Sequence, residues 1–564
     1  MFIRKIGTIG RTYRHVQRYR QILTILFKYG FGDLIDTLKI DQYLEIGWQM
    51  ISKKRREKVE TLTRAERVRM ALEELGPTFI KLGQILSTRP DLVPVNFLQE
   101  LVKLQDNVPP FDYNDVKLIV ETELESPIRK IFKDFEESPL AAASIGQVHR
   151  AKLIDGEEVV VKVQRPNIRR IVEVDLEIML HLATLMERHL EGFELHQPTK
   201  IVEEFARAIE KELDYTIEAS HLERFGNQFL GDPTIYVPKV YIDETTTRVL
   251  TMEYIDGIKS YELNQLKQKG FDLKEIASRG ADLLMKQIFI YGFFHADPHP
   301  GNIFILPNNV ICYLDFGIMG RINRKTREDF ANLFLAIVQK DEAKVVDALL
   351  RLTIWDDEPN SNLLERDVAD LIDQHFYKPL KYLKFGKLIY QLQELIARYH
   401  LTIPQDLFLM LKAIATMEDL GRKLDPNFDI TKHAAPFLKQ IQFERFYPQR
   451  IASDMFDSGT DLIYLMREIP KDLRDILAKL NRGKLKIGFE HKGLDPMLAT
   501  HDRIVNRIAF AIVLASLIIG SSLIVLSGIP PKWYEIPIIG LAGFIVAGLM
   551  GFKLLISILK RGKM

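Results

Sequence analysis

The sequence predicts an α+β, two-lobed fold with helices added before it and a membrane-spanning helical hairpin after it. Three observations predict this. Short β-type runs between residues 113 and 258 enclose one long helical stretch. A mainly helical segment, residues 259–490, comes next. Two long apolar runs then close the chain. A strand-rich part followed by a helical part is the pattern of two lobes with a cleft between them.

Composition narrows the function. The 564 residues carry 77 basic and 76 acidic side chains, a formal net charge of +1. Nucleic-acid binding usually needs a basic excess, so none is expected. Cys312 is the single cysteine, so no internal disulfide can form, which fits a reducing compartment.

Residues 1–62 form the first region, helical and basic. Its first 32 residues carry Arg4, Lys5, Arg11, Arg14, Arg18, Arg20 and Lys28 with no acidic residue among them. A lipid-touching amphipathic helix and a helix packed on the rest of the protein both fit. No long apolar core precedes a small-residue cleavage site, so a secretory signal is not expected. "SKKRREK", Ser52 to Lys58, reads as a linker. Residues 63–112 show helical periodicity, broken at Pro77, Pro90 and Pro94 and ended by Pro109-Pro110. From Tyr113, "SIGQVHRAKL" and "GEEVVVKVQRP" read as strands joined at Asp155-Gly156. A helical stretch runs from about Val172 to Phe229, and strands return in "IYVPKVYIDETTTRVLTMEYIDG".

Residues 491–564 form the membrane anchor. "IAFAIVLASLIIGSSLIVLSG" carries no charge, and the second run carries only Lys553 near its end. The spans are placed at about 508–528 and 536–558. Trp533 and Tyr534 in the turn suit an interfacial belt. Arg503 and Arg507 precede the first span; Lys560, Arg561 and Lys563 come after the second. The positive-inside rule places both outer ends, and everything before residue 500, in the cytoplasm. Ser516 and Gly520, then Gly543, Ala547 and Gly551, recur at four-residue spacing; close helix packing and the ordinary Gly and Ala richness of membrane helices both fit.

The chemistry-bearing residues come in a fixed order. Ala141, Ala142, Ala143 and Ser144 form a small-residue turn whose N–H groups can approach phosphate. Lys162 stands in the apolar strand "VVVKV", where an unpaired charge is costly. Glu212, Asp214 and Glu218 lie on the following helix, and any of them can pair with it. "LTMEYIDG" is a strand running into a loop; in a two-lobed nucleotide enzyme the backbone of Glu253 to Ile255 is where an adenine edge would bond. "HADPHPGN" places His295, Asp297 and Asn302; "LDFG" places Asp315. Asp297 and Asn302 keep the five-residue offset of the kinase pattern H-R-D-L-x-x-x-N. There, Asp works on the attacking hydroxyl, while Asn and the Asp-Phe-Gly aspartate bind Mg²⁺. His295 and His299 are i and i+4, but Pro298 and Pro300 oppose a zinc-binding helix, and the Glu of H-E-x-x-H is missing.

These residues resemble the UbiB family of atypical protein-kinase-like proteins, also called AarF-domain-containing kinases. The likeness covers roughly residues 63–490 and rests on Lys81-Leu82-Gly83-Gln84, Ala141 to Ala143, Glu212-Leu213-Asp214, "HADPHPGN" and Asp315-Phe316-Gly317. Alanines replace the glycines of the kinase phosphate loop, Ala296 replaces its catalytic-loop Arg, and no Ala-Pro-Glu comes after Asp315-Phe316-Gly317. The resemblance implies a protein-kinase-like fold in which 63–112 is a family-specific extension, 113–258 an N-lobe and 259–490 a helical C-lobe. It implies a lid of Lys81, Gln84, Glu212 and Asp214, in which the "KLGQ" helix folds over the cleft and Lys81 meets the Glu212/Asp214 pair, shutting out peptides. Glu218 is then the partner of Lys162.

The resemblance also implies a function. The chain is expected to be a membrane-anchored ATPase using ATP and Mg²⁺ and supporting isoprenoid quinone biosynthesis of the ubiquinone type. Lys162, Glu218 and Asp297 are catalytic. Ala141 to Ser144, Lys162, Glu253 and Ile255 hold the nucleotide, and Asn302 and Asp315 hold the metal. Expected partners are membrane lipid, quinone precursors and quinone-biosynthesis proteins; a homodimer is also admitted. The expected location is the cell inner membrane, multi-pass. Two alternatives stand beside it: a phosphotransferase acting on a protein or small lipid-like alcohol, and a nonenzymatic scaffold switched by nucleotide.

Overall fold

A computed structural model describes residues 13–32, 62–87, 89, 92–104, 109–189, 198–355, 359–376, 391–392, 394–396, 398–399, 401–444, 447, 474, 494–533 and 536–561. The chain divides into two compact units, residues 1–453 and 454–564. The linker expected at Ser52 to Lys58 lies outside the described residues.

The first unit opens with α1 (Tyr13–Lys28), α2 (Arg64–Leu75), α3 (Pro77–Leu86) and α4 (Val95–Leu101). Thr63 and Glu66 form a reciprocal capping box that starts α2. Pro77 starts α3, where a missing N–H costs nothing. The basic α1 is packed on the protein: Tyr19, Ile22, Leu23 and Ile25 are buried against its neighbours. Arg18 grips Asp175 with two bonds, 2.7 Å and 3.0 Å, and donates to the Leu75 carbonyl at 2.7 Å. Of the two readings of this basic segment, packing on the protein describes residues 13–28. Asp175 is 0% exposed, so losing Arg18 strands a buried carboxylate. Arg18→Ala is expected to destabilise the first unit by about 3 kcal/mol, checked by denaturant unfolding of the full chain in detergent.

Next come α5 (Tyr113–Glu123), α6 (Ile128–Ile131), β1 (Phe132–Phe135), β2 (Ala141–Ala142), β3 (Gly146–Leu153) and β4 (Glu158–Gln164). The expected 172–229 helix is three helices among the described residues: α7 (Ile168–His189), α8 (Pro198–Glu212) and α9 (Tyr215–Gln228). The last break has a local cause. The Asp214 side chain accepts from the Thr216 N–H at 3.0 Å and caps α9. The chain then enters β5 (Ile235–Tyr236) and β6 (Val249–Glu253). Strands β1, β3, β4 and β6 make an antiparallel sheet, with β2 added on β3. Val159, Val161 and Val163 alternate onto its buried face and pack against Val116 and Val120 of α5.

The helical part holds β7 (Ile258–Lys259), α10 (Leu263–Gln268), α11 (Leu273–Met285), β8 (Phe293–His295), β9 (Ile303–Leu306), β10 (Val310–Tyr313) and β11 (Met319–Arg321). It continues with α12 (Arg324–Gln339), α13 (Glu342–Leu352), α14 (Ser361–Phe376), α15 (Gln405–Leu424) and α16 (Ile430–Glu444). A small sheet in the order β5-β10-β9-β7 and the β8–β11 pair lie among these helices. A π-helical turn, Lys286–Tyr291, leads into β8. It stops at Gly292, whose φ is +65°; a Cβ there would lie 2.6 Å from the Ile322 carbonyl oxygen. Only glycine fits that corner.

In the second unit, α17 (Leu494–Ser527) and α18 (Ile538–Arg561) flank a short pair of strands, β12 (Lys532–Trp533) and β13 (Ile536–Pro537). The apolar stretch Ile504–Ser527 has 24 residues, long enough to cross a membrane; Ile538–Phe552 is a shorter apolar stretch. The two helices meet through small residues. A Cβ on Gly543 would lie 2.1 Å from Ser521 Oγ, and one on Gly540 would lie 2.6 Å from Val525. Ala547 and Ser521 are buried there. The expected stripe on the second helix is thus in the contact. On the first helix Ser521 and Val525 are in the contact, whereas Gly520 faces open space.

Candidate functional site

Lys162 sits mid-strand on β4, and its Nζ lies 2.8 Å from Glu218 Oε2 in the first turn of α9. Asp214 and Glu212, the other two candidates, do not make this pair. Burial works against the Lys162 charge, but Glu218 and Asp315 outweigh burial and raise its pKa. Burial pushes the Glu218 carboxyl up, against the pull of Lys162. The Tyr215 ring lies 5.0 Å from the Lys162 ammonium, and its buried hydroxyl has no hydrogen-bond partner among the described residues. That hydroxyl explains Gly146: a Cβ there would lie 2.5 Å from it.

Asp315 comes just after β10. Burial alone would raise its pKa; Lys162 and the Gly317 N–H, which donates to Oδ1 at 3.0 Å, hold it below the ordinary range. Phe316 is fully buried against Phe225 of α9, ring centroids 5.1 Å apart, and against His295 at 5.6 Å. His295 joins the two chemical loops. Its Nδ1 accepts from the Asp297 N–H at 3.3 Å, so the proton sits on Nε2 and is donated to the Asp315 carbonyl. Burial holds the His295 pKa below the usual imidazole value, which keeps that neutral pattern. Histidine in "HADPHPGN" is therefore a brace, and among the described residues no cluster of metal-ligating side chains occurs.

The loop itself is held by its backbone. His299 N–H donates to the Asp297 carbonyl at 2.7 Å, and Asn302 N–H donates to the His299 carbonyl at 2.8 Å. Asn302's own carbonyl accepts from Leu314 N–H at 3.1 Å, which sets Asn302 beside the Asp315 segment. The Asn302 side chain makes no hydrogen bond among the described residues. Asp297 meets a residue that the sequence pattern did not point to: Lys412 Nζ of α15 lies 3.1 Å from Asp297 Oδ1. Its signal was a lone lysine in the apolar run "LFLMLKAIATM".

The nucleotide-binding candidates divide. Ala141 and Ala142 are in β2, and Ala143 N–H is spent on the Gly146 carbonyl at 2.8 Å. Ser144 and Ile145 are thus the two-residue tip of a hairpin. Ser144 Oγ is buried and makes no hydrogen bond among the described residues, while Ile145 joins the apolar cluster of the N-terminal helices. Arg165, also missed by sequence reasoning, braces this loop by donating to the Ala143 carbonyl at 3.1 Å and the Pro109 carbonyl at 2.7 Å. Glu253 N–H is bonded to the Lys239 carbonyl and Tyr254 N–H to the Glu158 carbonyl, both at 2.9 Å. Among the described residues the Ile255 N–H has no backbone acceptor.

Of the residues expected to form a lid, Lys81 of α3 pairs with Glu212 at 3.0 Å. Asp214 is not part of this pair, because its carboxylate caps α9. Gln84 donates to the Leu104 carbonyl at 3.4 Å. Gly83 between them lets α3 seat on Leu72 and Leu104: a Cβ there would meet Leu104 at 2.2 Å.

A strand lysine paired to a helix glutamate, with Asp-Phe-Gly packed behind it, defines a kinase-like class of protein. Residues 103–349 match the ABC1 atypical kinase-like domain, 368–429 the UbiB helical domain, and 492–560 the ABC1/UbiB kinase-like C-terminal domain. A "Probable protein kinase UbiB" of Pseudomonas fluorescens is 34% identical, covering 84% of this chain and 88% of that protein. Another, from Cellvibrio japonicus, is 36% identical over 75% of this chain and 78% of its own length. An "Uncharacterized protein in hydrogenase 1 5'region" of Clostridium pasteurianum is 35% identical over 97% and 99%. The chain belongs to the ABC1/UbiB kinase-like family.

Proposed function

We propose that this chain is a membrane-anchored enzyme that hydrolyses ATP and supports isoprenoid quinone biosynthesis. The observation that carries the reading is the Lys162–Glu218 pair at 2.8 Å beside a depressed Asp315 carboxylate. Kinase-type chemistry needs both in place. In this reading Lys162 holds nucleotide phosphates and Glu218 holds Lys162. The Glu253 carbonyl and Ile255 N–H read the adenine edge, and the Ala141 to Ser144 hairpin covers the phosphates. Asp297 orients the attacking water.

The donor set fits Mg²⁺. Asn302 offers an unbonded carboxamide oxygen and Asp315 a carboxylate, and both are hard oxygen ligands. A bound Mg²⁺ would neutralise charge on the transferring phosphoryl group, with Asn302 and Asp315 holding it. The Lys81–Glu212 pair supports a covered approach, which disfavours a peptide acceptor and favours water. The apolar helix Ile504–Ser527, preceded by basic residues, supports an inner-membrane anchor with the catalytic part on the cytoplasmic side. α18 completes a two-span anchor in this reading.

The quinone role is tested by deleting the gene and measuring quinones and their precursors by mass spectrometry. The quinone pool is expected to fall, a precursor to accumulate, and an Asp315→Asn copy to fail to restore it. Normal pools in the deletion strain would remove the role.

A further inference from the structure

We infer that Lys412 is a positioning residue for turnover: it fixes the orientation of the Asp297 carboxylate. The inference rests on the ATP-hydrolysing reading. Three observations carry it. First, Lys412 Nζ lies 3.1 Å from Asp297 Oδ1, although 115 residues separate them in the chain. Second, Lys412 interrupts an apolar helix. Its neighbours Leu409, Met410, Leu411, Ala413 and Ile414 are all buried, so α15 is a rigid base. A lysine in such a run is costly unless its charge finds a partner, and Asp297 is that partner. Third, the Asp297 side chain has no other anchor among the described residues. Its loop is tied by backbone bonds, but those leave the carboxylate free to rotate.

The chemistry comes from this arrangement. Asp297 is 36% exposed and Lys412 27% exposed, so both border the open side of the site. With one oxygen on Lys412, the other is directed to whatever proton the attacking group must lose. An aspartate that is free to turn would spend much of its time misaligned, and small misplacements cost turnover more than binding. Hence this lysine is expected to act on kcat through Asp297, and not on nucleotide affinity.

The test is a double-mutant cycle on the full chain in lipid nanodiscs, with Mg²⁺ and ATP, measuring phosphate release. Lys412→Ala is expected to lower kcat about tenfold or more while leaving KM for ATP within about threefold. Lys412→Arg should regain most of the loss. In an Asp297→Asn background, adding Lys412→Ala should change kcat less than about twofold. A thermal melt of each variant accompanies the kinetics. An equal loss in both backgrounds, a change in KM alone, or no rescue by arginine would overturn the inference and leave the ATPase reading standing. Absence of turnover in the unmodified protein would overturn the ATPase reading itself, and this inference with it.

Discussion

Lys162→Met is expected to lower Mg²⁺-dependent ATP turnover about a hundredfold or more, and to destabilise the protein at the same time. The two losses have different causes and can be separated. Removing the ammonium leaves Glu218, 7% exposed, as a buried carboxylate without its 2.8 Å partner. Breaking a buried pair from one side costs about 3–5 kcal/mol. Replacing both partners with apolar groups of similar size is often neutral. So Lys162→Met/Glu218→Leu is expected to regain most of the lost stability and none of the turnover. The turnover loss reflects a missing cation at the phosphates, and removing one such electrostatic contact typically costs about 10²–10³ in kcat. Denaturant unfolding and phosphate release on the unmodified protein, both single variants and the double variant check both halves. Recovery of turnover along with stability in the double variant would show that Lys162 serves the fold alone.

Asp315→Asn is expected to lower turnover by about 10²–10³ with little change in stability. The substitution keeps shape and keeps an oxygen to accept the Gly317 N–H, bonded at 3.0 Å in the native protein. Phe316 stays packed on Phe225 and His295, and Lys162 keeps Glu218. What is lost is one full negative charge where a Mg²⁺ would be held. The variant should need a much higher Mg²⁺ concentration for half-maximal rate, checked by titrating the metal at fixed ATP. An unchanged metal dependence would separate Asp315 from metal binding.

Much of this site was legible because each motif carries its own local physics. A lysine among valines, an Asp-Phe-Gly after an apolar strand, and a loop stiffened by prolines all depart from what a buried pattern requires. The choice of Glu218 as Lys162's partner came from resemblance, since helix geometry left three carboxylates open. Asp214 shows the cost of reading it as a lid residue. It stands directly before Tyr215 and Thr216, which is N-cap chemistry, and the cap is where its carboxylate goes. Lys412, Arg165 and the Arg18–Asp175 pair were not legible. Their partners lie 115, 56 and 157 residues away, and no spacing rule spans such gaps. The basic first helix was ambiguous for a related reason. Its charge suggested lipid, while the acidic groups that neutralise it, Glu74 and Asp175, belong to other helices. In the second unit, the four-residue spacing on α18 named the right face. On α17 the contact runs through Ser521, one residue beyond Gly520.

The proposed function requires that Lys162, Glu218 and Asp315 form a working nucleotide site. The most direct test is the steady-state rate of phosphate release from ATP by the full chain in lipid bilayers with Mg²⁺, compared with its Asp315→Asn variant. A working site predicts measurable turnover that falls about a hundredfold or more in the variant. Equal rates in the two proteins, or none in the unmodified one, would contradict it.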